Sequence, residues 1–65
     1  MDSGARKRQV LAQLTLIQPA SAKQIGYEIG VGKAQTHNHL VLLEAEGRVK
    51  RVGTGANRIL VWEVV

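Results

Sequence analysis

The chain has 65 residues, 45% of them hydrophobic, no cysteine and a net charge of +4 with pI ≈ 10.2. That size fits one small domain over residues 1–65, with about 60% of its unfolded surface buried and no space for a catalytic or ligand-binding domain beside it. No apolar run nears the ~20 residues that span a bilayer, nothing at the N-terminus reads as a signal peptide, and disulfides and thiolate metal sites are excluded, so a cytoplasmic protein with polyanionic partners is the expectation.

Met1 to Gly4 reads as a frayed end in which Asp2 or Ser3 caps a first helix, running from about Ala5 to Leu16 or Ile17. Val10, Leu14 and Ile17 recur at i, i+4, i+7, with Leu11 beside them, as one apolar stripe. Arg6, Lys7 and Arg8 oppose the helix dipole there, which fits either phosphate contacts or a solvated face. Gln18-Pro19-Ala20 breaks the helix, because the residue before proline is pushed out of helical geometry. Ala20 can then pair as a short extended residue.

Ser21 is placed to cap a second helix, with Gln24 completing a capping box. Ala22, Ile25 and Ile29 form its buried stripe. Gly26 costs ~1 kcal/mol against alanine inside a helix, which makes sense where another helix crosses closely. Gly30 supplies the turn in left-handed geometry. A third helix follows from Gly32 or Lys33 to Glu46, with Gly47 just past its end. At 100° per residue Thr36, Leu40 and Leu43 share the core face, while Ala34, Gln35, Asn38 and Leu42 lie outside and Val41 and Ala45 border them. Lys33 and His37 project from the early turns.

After Gly47 the pattern changes. Val49–Val52 is β-prone, Gly53-Thr54-Gly55-Ala56-Asn57 is a turn cluster, and Arg58–Val64 is strongly β-prone. The expected fold is α+β and mostly α: three helices followed by a β-hairpin. Trp62 and Leu60 alternate onto its core face, opposite Ile59 and Val61.

Ser21 to Gly47 thus reads as a helix-turn-helix that presents its second helix to DNA. All five acids are Asp2, Glu28, Glu44, Glu46 and Glu63, so none falls between Ile29 and Leu43. Gln35 and Asn38 can each pair bidentately with adenine, His37 can bond a base edge or phosphate, and Lys33 can reach guanine or phosphate. Arg51, Thr54, Asn57 and Arg58 would meet the backbone or minor groove, and Lys23 a phosphate. Taken singly, Gln35 and Asn38 are ordinary exposed helix residues, His37 and His39 are surface or boundary histidines, Arg58 keeps a hairpin soluble and Tyr27 sits on a helix surface. The i, i+2 histidines point to different sides of a helix, so no metal site is expected.

The cap at Ser21, the small Gly26, the Gly30-Val31 turn, Leu40-Val41-Leu42-Leu43-Glu44-Ala45-Glu46-Gly47 and the Arg51–Arg58 hairpin together resemble the winged helix-turn-helix regulators over residues 5 to 64. HLVLLEAEGRVKR is most similar to the small PapI/FaeA-type regulators. The resemblance implies a sequence-specific double-stranded-DNA-binding transcription regulator, its third helix in the major groove and its hairpin wing on the backbone or minor groove. Gly32 and Ala34 stand where many members carry phosphate-bonding serines or threonines, and Thr36 where valine or isoleucine is usual. The layout also resembles the Z-DNA-binding winged helices, whose signature asparagine and tyrosine fall on His37 and Val41 here.

No catalytic constellation is evident, and GVGK at 30–33 lacks the preceding strand and spacing of a phosphate loop, so neither enzyme activity nor a cofactor is expected. Partners are then double-stranded DNA, with a homodimer or protein co-regulator to strengthen a lone small domain. The alternative is a protein-interaction module using Val41, Leu42, Ile59 and Val61.

Overall fold

A computed structural model describes residues 3–54 and 59–65, except the side chains of residues 3 and 54. Helices α1 (Ser3–Ile17), α2 (Ala22–Ile29) and α3 (Lys33–Ala45) precede strands β1 (Val49–Thr54) and β2 (Leu60–Val64), which pair antiparallel. Val10 and Leu14 of α1 are wholly buried, with Leu11 and Ile17 packed partly against the core. The helix includes Ser3 rather than being capped by it, since first-turn N–H groups need no intrahelical partner. The other expected cap, Asp2, lies outside the described residues.

Ser21 is extended and its hydroxyl accepts from the Gln24 N–H at 3.1 Å, so α2 starts where the cap is encoded. Gly30 ends it at φ 73, and the Val31 N–H returns to the Gly26 carbonyl at 2.9 Å. Gly26 answers to the close approach that follows. A Cβ there would stand 2.4 Å from the Val31 carbonyl oxygen and 2.8 Å from Thr36 Oγ1. Side chains at this position would therefore push the turn and α3 away.

On α3, Thr36, Leu40 and Leu43 are buried as their spacing requires, and the Thr36 hydroxyl donates to the Gly32 carbonyl at 2.9 Å. Core polarity is thus satisfied locally. His39 is a correction to the surface or boundary expectation: it is buried, and among the described residues neither ring nitrogen has a hydrogen-bond partner. The physical reason is its spacing, three residues after Thr36 and four before Leu43, which puts it at the margin of the buried stripe.

The first strand continues past the expected Val52 to Thr54, because an irregularity between Arg51 and Thr54 accommodates Gly53 at φ 78. Gly53 and Thr54 therefore belong to β1 instead of the loop. The second strand begins at Leu60, and the expected Gly55-Ala56-Asn57 turn and Arg58 lie outside the described residues. Ala20 exchanges two backbone hydrogen bonds with Trp62, at 3.1 and 2.8 Å, which makes the anticipated extended residue a real bridge. The Val64 N–H also donates to Gln18 Oε1 at 2.9 Å. Trp62 is the largest wholly buried side chain and joins Ile25, Leu40, Leu43 and Val49 in the core. Complete burial of such side chains contributes ~1.5–3 kcal/mol each, the main term holding helices and hairpin together. Among the described residues no helix is long and apolar enough to cross a membrane.

Candidate nucleic-acid interface

The packing above fixes which parts of α3 remain outside. Thr36, Leu40 and Leu43 face inward, so Lys33, Ala34, Gln35 and Asn38 are exposed together on the early turns. Among the described residues the side chains of Lys23, Lys33, Gln35 and Asn38 have no hydrogen-bond or ion-pair partner. These groups present both donor–acceptor amides and charges to whatever approaches. Gly32 offers no side chain to cap α3, so its first N–H groups also face outward.

Toward the hairpin the surface folds into an open cleft of about 510 Å³. Lys23 comes from α2, Lys33 and His37 from α3, and Ile59, Leu60 and Trp62 from the hairpin side. Three basic residues thus converge beside an apolar wall. His37 is half-buried, its ring edge-on to the Trp62 indole with centroids 5.9 Å apart and planes at 71°. Its ring is engaged from within, so it has less freedom than Gln35 or Asn38 to seek a base edge.

Arg51 also turns out to be engaged. It is the cross-strand neighbour of Trp62, and its guanidinium lies over the indole, 5.0 Å from the ring centroid. Its Nε donates to both Glu44 carboxylate oxygens, at 3.1 and 3.3 Å. The sequence spacing did not reveal this arrangement, because Glu44 and Arg51 belong to different elements and meet only when β1 packs on α3. Val41 sits at the rim, about a third exposed, and Leu42 about half. The side chain of Thr54, with Asn57 and Arg58, lies outside the described residues, so the structure brings Lys23, Lys33 and His37 together in one cleft, leaves Gln35, Asn38 and Val41 exposed elsewhere along α3, and sets Arg51 on the wing against Glu44 and Trp62.

On the other flank of α3, Lys7 pairs with Glu46, and Arg48 approaches the same carboxylate at 3.3 Å. The hydrogen bond from Lys7, with the charges of Lys7 and Arg48, holds the Glu46 carboxyl below the usual carboxylate range against a smaller desolvation effect. Lys7 is therefore used for internal pairing, while Arg6 donates to Gln9 at 2.9 Å. Among the described residues no group of three or more histidines and acids is gathered to hold a metal ion.

No family profile and no curated protein matches the chain. Among solved structures, the apo-Zalpha domain of zebrafish PKZ superposes with a TM-score of 0.85 at 21% identity, covering 95% of this chain and 94% of that one. A cysteine-to-serine mutant of Lactococcus lactis ZitR superposes with a TM-score of 0.72 at 14% identity, covering all of this chain. This chain spans 46% of that ZitR chain. These likenesses concern backbone architecture. The fold of this chain is the winged helix-turn-helix.

Proposed function

We propose that this protein is a sequence-specific double-stranded-DNA-binding transcription regulator, formed by a single domain over residues 1–65 and working in the cytoplasm. Helix α3 enters the major groove, where Gln35 and Asn38 read base edges and Lys33 meets guanine or phosphate. Lys23 and the wing residues Arg51, Thr54, Asn57 and Arg58 hold the backbone or minor groove, His37 lines the groove-side cleft and Val41 bounds it. The observation that carries this reading is the exposed, acid-free early surface of α3 beside the Lys23–Lys33–His37 cleft. Of the acids nearest that surface, Glu44 is already matched by Arg51. The resemblance of HLVLLEAEGRVKR to the small PapI/FaeA-type regulators supports a small regulator of that kind, and a homodimer or a protein co-regulator would strengthen the weak binding of a lone small domain.

Selection of duplexes from a random pool, followed by titration at several salt concentrations, tests the reading. An enriched motif and a steep fall of affinity with salt are expected. Asn38→Ala should relax sequence preference, and Arg58→Ala should weaken all sequences alike. Absence of binding to any duplex at low salt would sink the proposal. An alternating C-G duplex belongs in the same series, monitored by circular dichroism. Its conversion to the left-handed form would replace base reading by shape reading.

A protein-interaction module is the second reading, favoured by the half-exposed Leu42 and Ile59 and the partly exposed Val41. Flat salt dependence together with tight association to a regulator would support it.

A further inference from the structure

We infer that Glu44 is a positioning residue which, with Trp62, presets Arg51 as a ligand for a DNA phosphodiester. The inference rests on the DNA-binding reading above and adds a role for an acid that the reading leaves aside.

Four side chains from three elements meet in sequence. Glu44 of α3 bonds the Arg51 Nε of β1, the Arg51 guanidinium covers the Trp62 indole of β2, and the Trp62 ring meets the edge of His37, back on α3. Trp62 is wholly buried, so the platform beneath Arg51 is part of the core and does not swing with the surface. A guanidinium has five N–H donors in one plane. Glu44 takes only Nε, and among the described residues the two Nη groups have no acceptor. The head group is thus held by one edge and one face, with its remaining donors unspent. Such an arginine loses less rotamer freedom on meeting an anion than one that waves freely in water. The paired donors left on the guanidinium suit the oxygens of a phosphodiester.

Two simpler roles make different predictions. If Glu44 merely adds negative charge, its removal tightens DNA binding whatever stands at 51. If Glu44 sequesters Arg51 from DNA, its removal tightens binding only while Arg51 is present. Positioning gives the opposite sign, because freeing the guanidinium loses more than the acid's repulsion costs.

The test is a double-mutant cycle of Glu44→Gln and Arg51→Met, with Arg51→Lys as a further arm. Affinity is measured across salt concentrations for the best duplex recovered from the random pool and for a random-sequence duplex. Arg51→Met should weaken both duplexes about tenfold, as expected for a lost charge-assisted contact. It should also reduce the magnitude of the log–log salt slope by about 0.9, the value for one phosphate. Arg51→Lys should keep most of the slope yet lose affinity, since a point charge has no plane to stack or fork. Glu44→Gln should weaken binding about threefold, a typical coupling for residues in contact, although it raises the net positive charge. In the Arg51→Met background the same change should cause no weakening. Trp62 is the chain's only tryptophan, so its emission reports loss of the guanidinium over its ring in each variant. Thermal melts establish that the variants fold, which the surface placement of Glu44 and Arg51 favours.

Unchanged or tighter binding by Glu44→Gln while Arg51 is present overturns the inference, as does equal weakening in both backgrounds. Failure of the unaltered protein to bind any duplex at low salt overturns the DNA-binding reading and this inference with it. Binding by the unaltered protein with the wrong cycle overturns the inference alone.

Discussion

The two flanks of α3 are built by different chemistry. The flank toward the wing is a stack: Glu44, Arg51, Trp62 and His37 touch in turn, mixing an ion pair, a cation–π contact and an edge-on ring pair. The opposite flank carries His39, buried with two unsatisfied nitrogens, and ends in the Lys7–Glu46 pair to α1. Two histidines two residues apart therefore meet opposite circumstances, one half-buried against an aromatic ring and one enclosed without a partner. The contrast teaches that a single helix can match its charged and ring groups on one flank, leaving only the Trp62 Nε1 beside them orphaned among the described residues, and enclose a wholly unmatched imidazole on the other. Unsatisfied buried groups cost stability, and among the described residues His39 leaves two such nitrogens on the scaffold flank against the single Trp62 Nε1 of the wing flank, so the scaffold flank has more room for improvement.

The largest test of the contrast is Trp62→Ala, which should remove ~3–5 kcal/mol by opening a cavity where the wing meets the helices. If melting shows that α1–α3 stay cooperatively folded at an unchanged temperature, the wing flank is decoration and the comparison fails. Leu40→Ala lies between the flanks and should cost ~2–5 kcal/mol, weakening both at once. Urea titration should show a lower midpoint with little change in slope. His39→Leu acts on the scaffold flank alone and should raise stability by about 1 kcal/mol, since an apolar side chain removes the orphaned nitrogens. A fall in the urea midpoint would mean that the imidazole contributes a contact worth keeping. The smallest effect concerns the pair at the end of that flank. The folded-state pKa of Glu46 is lowered below its unfolded value. Its contribution is therefore complete above the unfolded carboxylate range and fades as pH falls through the lowered folded value. Melting temperatures of the protein and of Glu46→Gln should differ slightly at neutral pH and converge in acid. A difference that persists unchanged in acid would assign it to packing.

Much of the helical frame was legible because local chemistry marks it. Ser21 caps α2, Gly30 turns the chain, and Thr36, Leu40 and Leu43 point inward at their helical spacing. Even the bridge at Ala20 followed from a proline-broken helix next to an extended residue. His39 was readable in principle from the same periodicity, but its polarity argued against its position. Arg51 was different. Its partner lies on another element, and its platform on a third, so no spacing along the chain encodes the contact. The length of β1 depended on Gly53 bending within a strand rather than ending one. Among the interface residues, exposure of Lys33, Gln35 and Asn38 followed from helical geometry, whereas the cleft uniting Lys23, Lys33 and His37 required the docking of α2 against the wing.

The backbone bridge between Ala20 and Trp62 has a consequence for how the molecule assembles. It joins the linker between the first two helices to the last strand, and its tryptophan fills the centre of the core. During synthesis the three helices emerge first, but the space among them stays unfilled until the chain has been made through Trp62. Helix pairing alone cannot complete the domain, so commitment to the native state waits on a distant contact, with the loop-closure cost that entails. A chain shortened before Trp62 would keep every helix-forming residue and still lack the piece that makes them one cooperative unit.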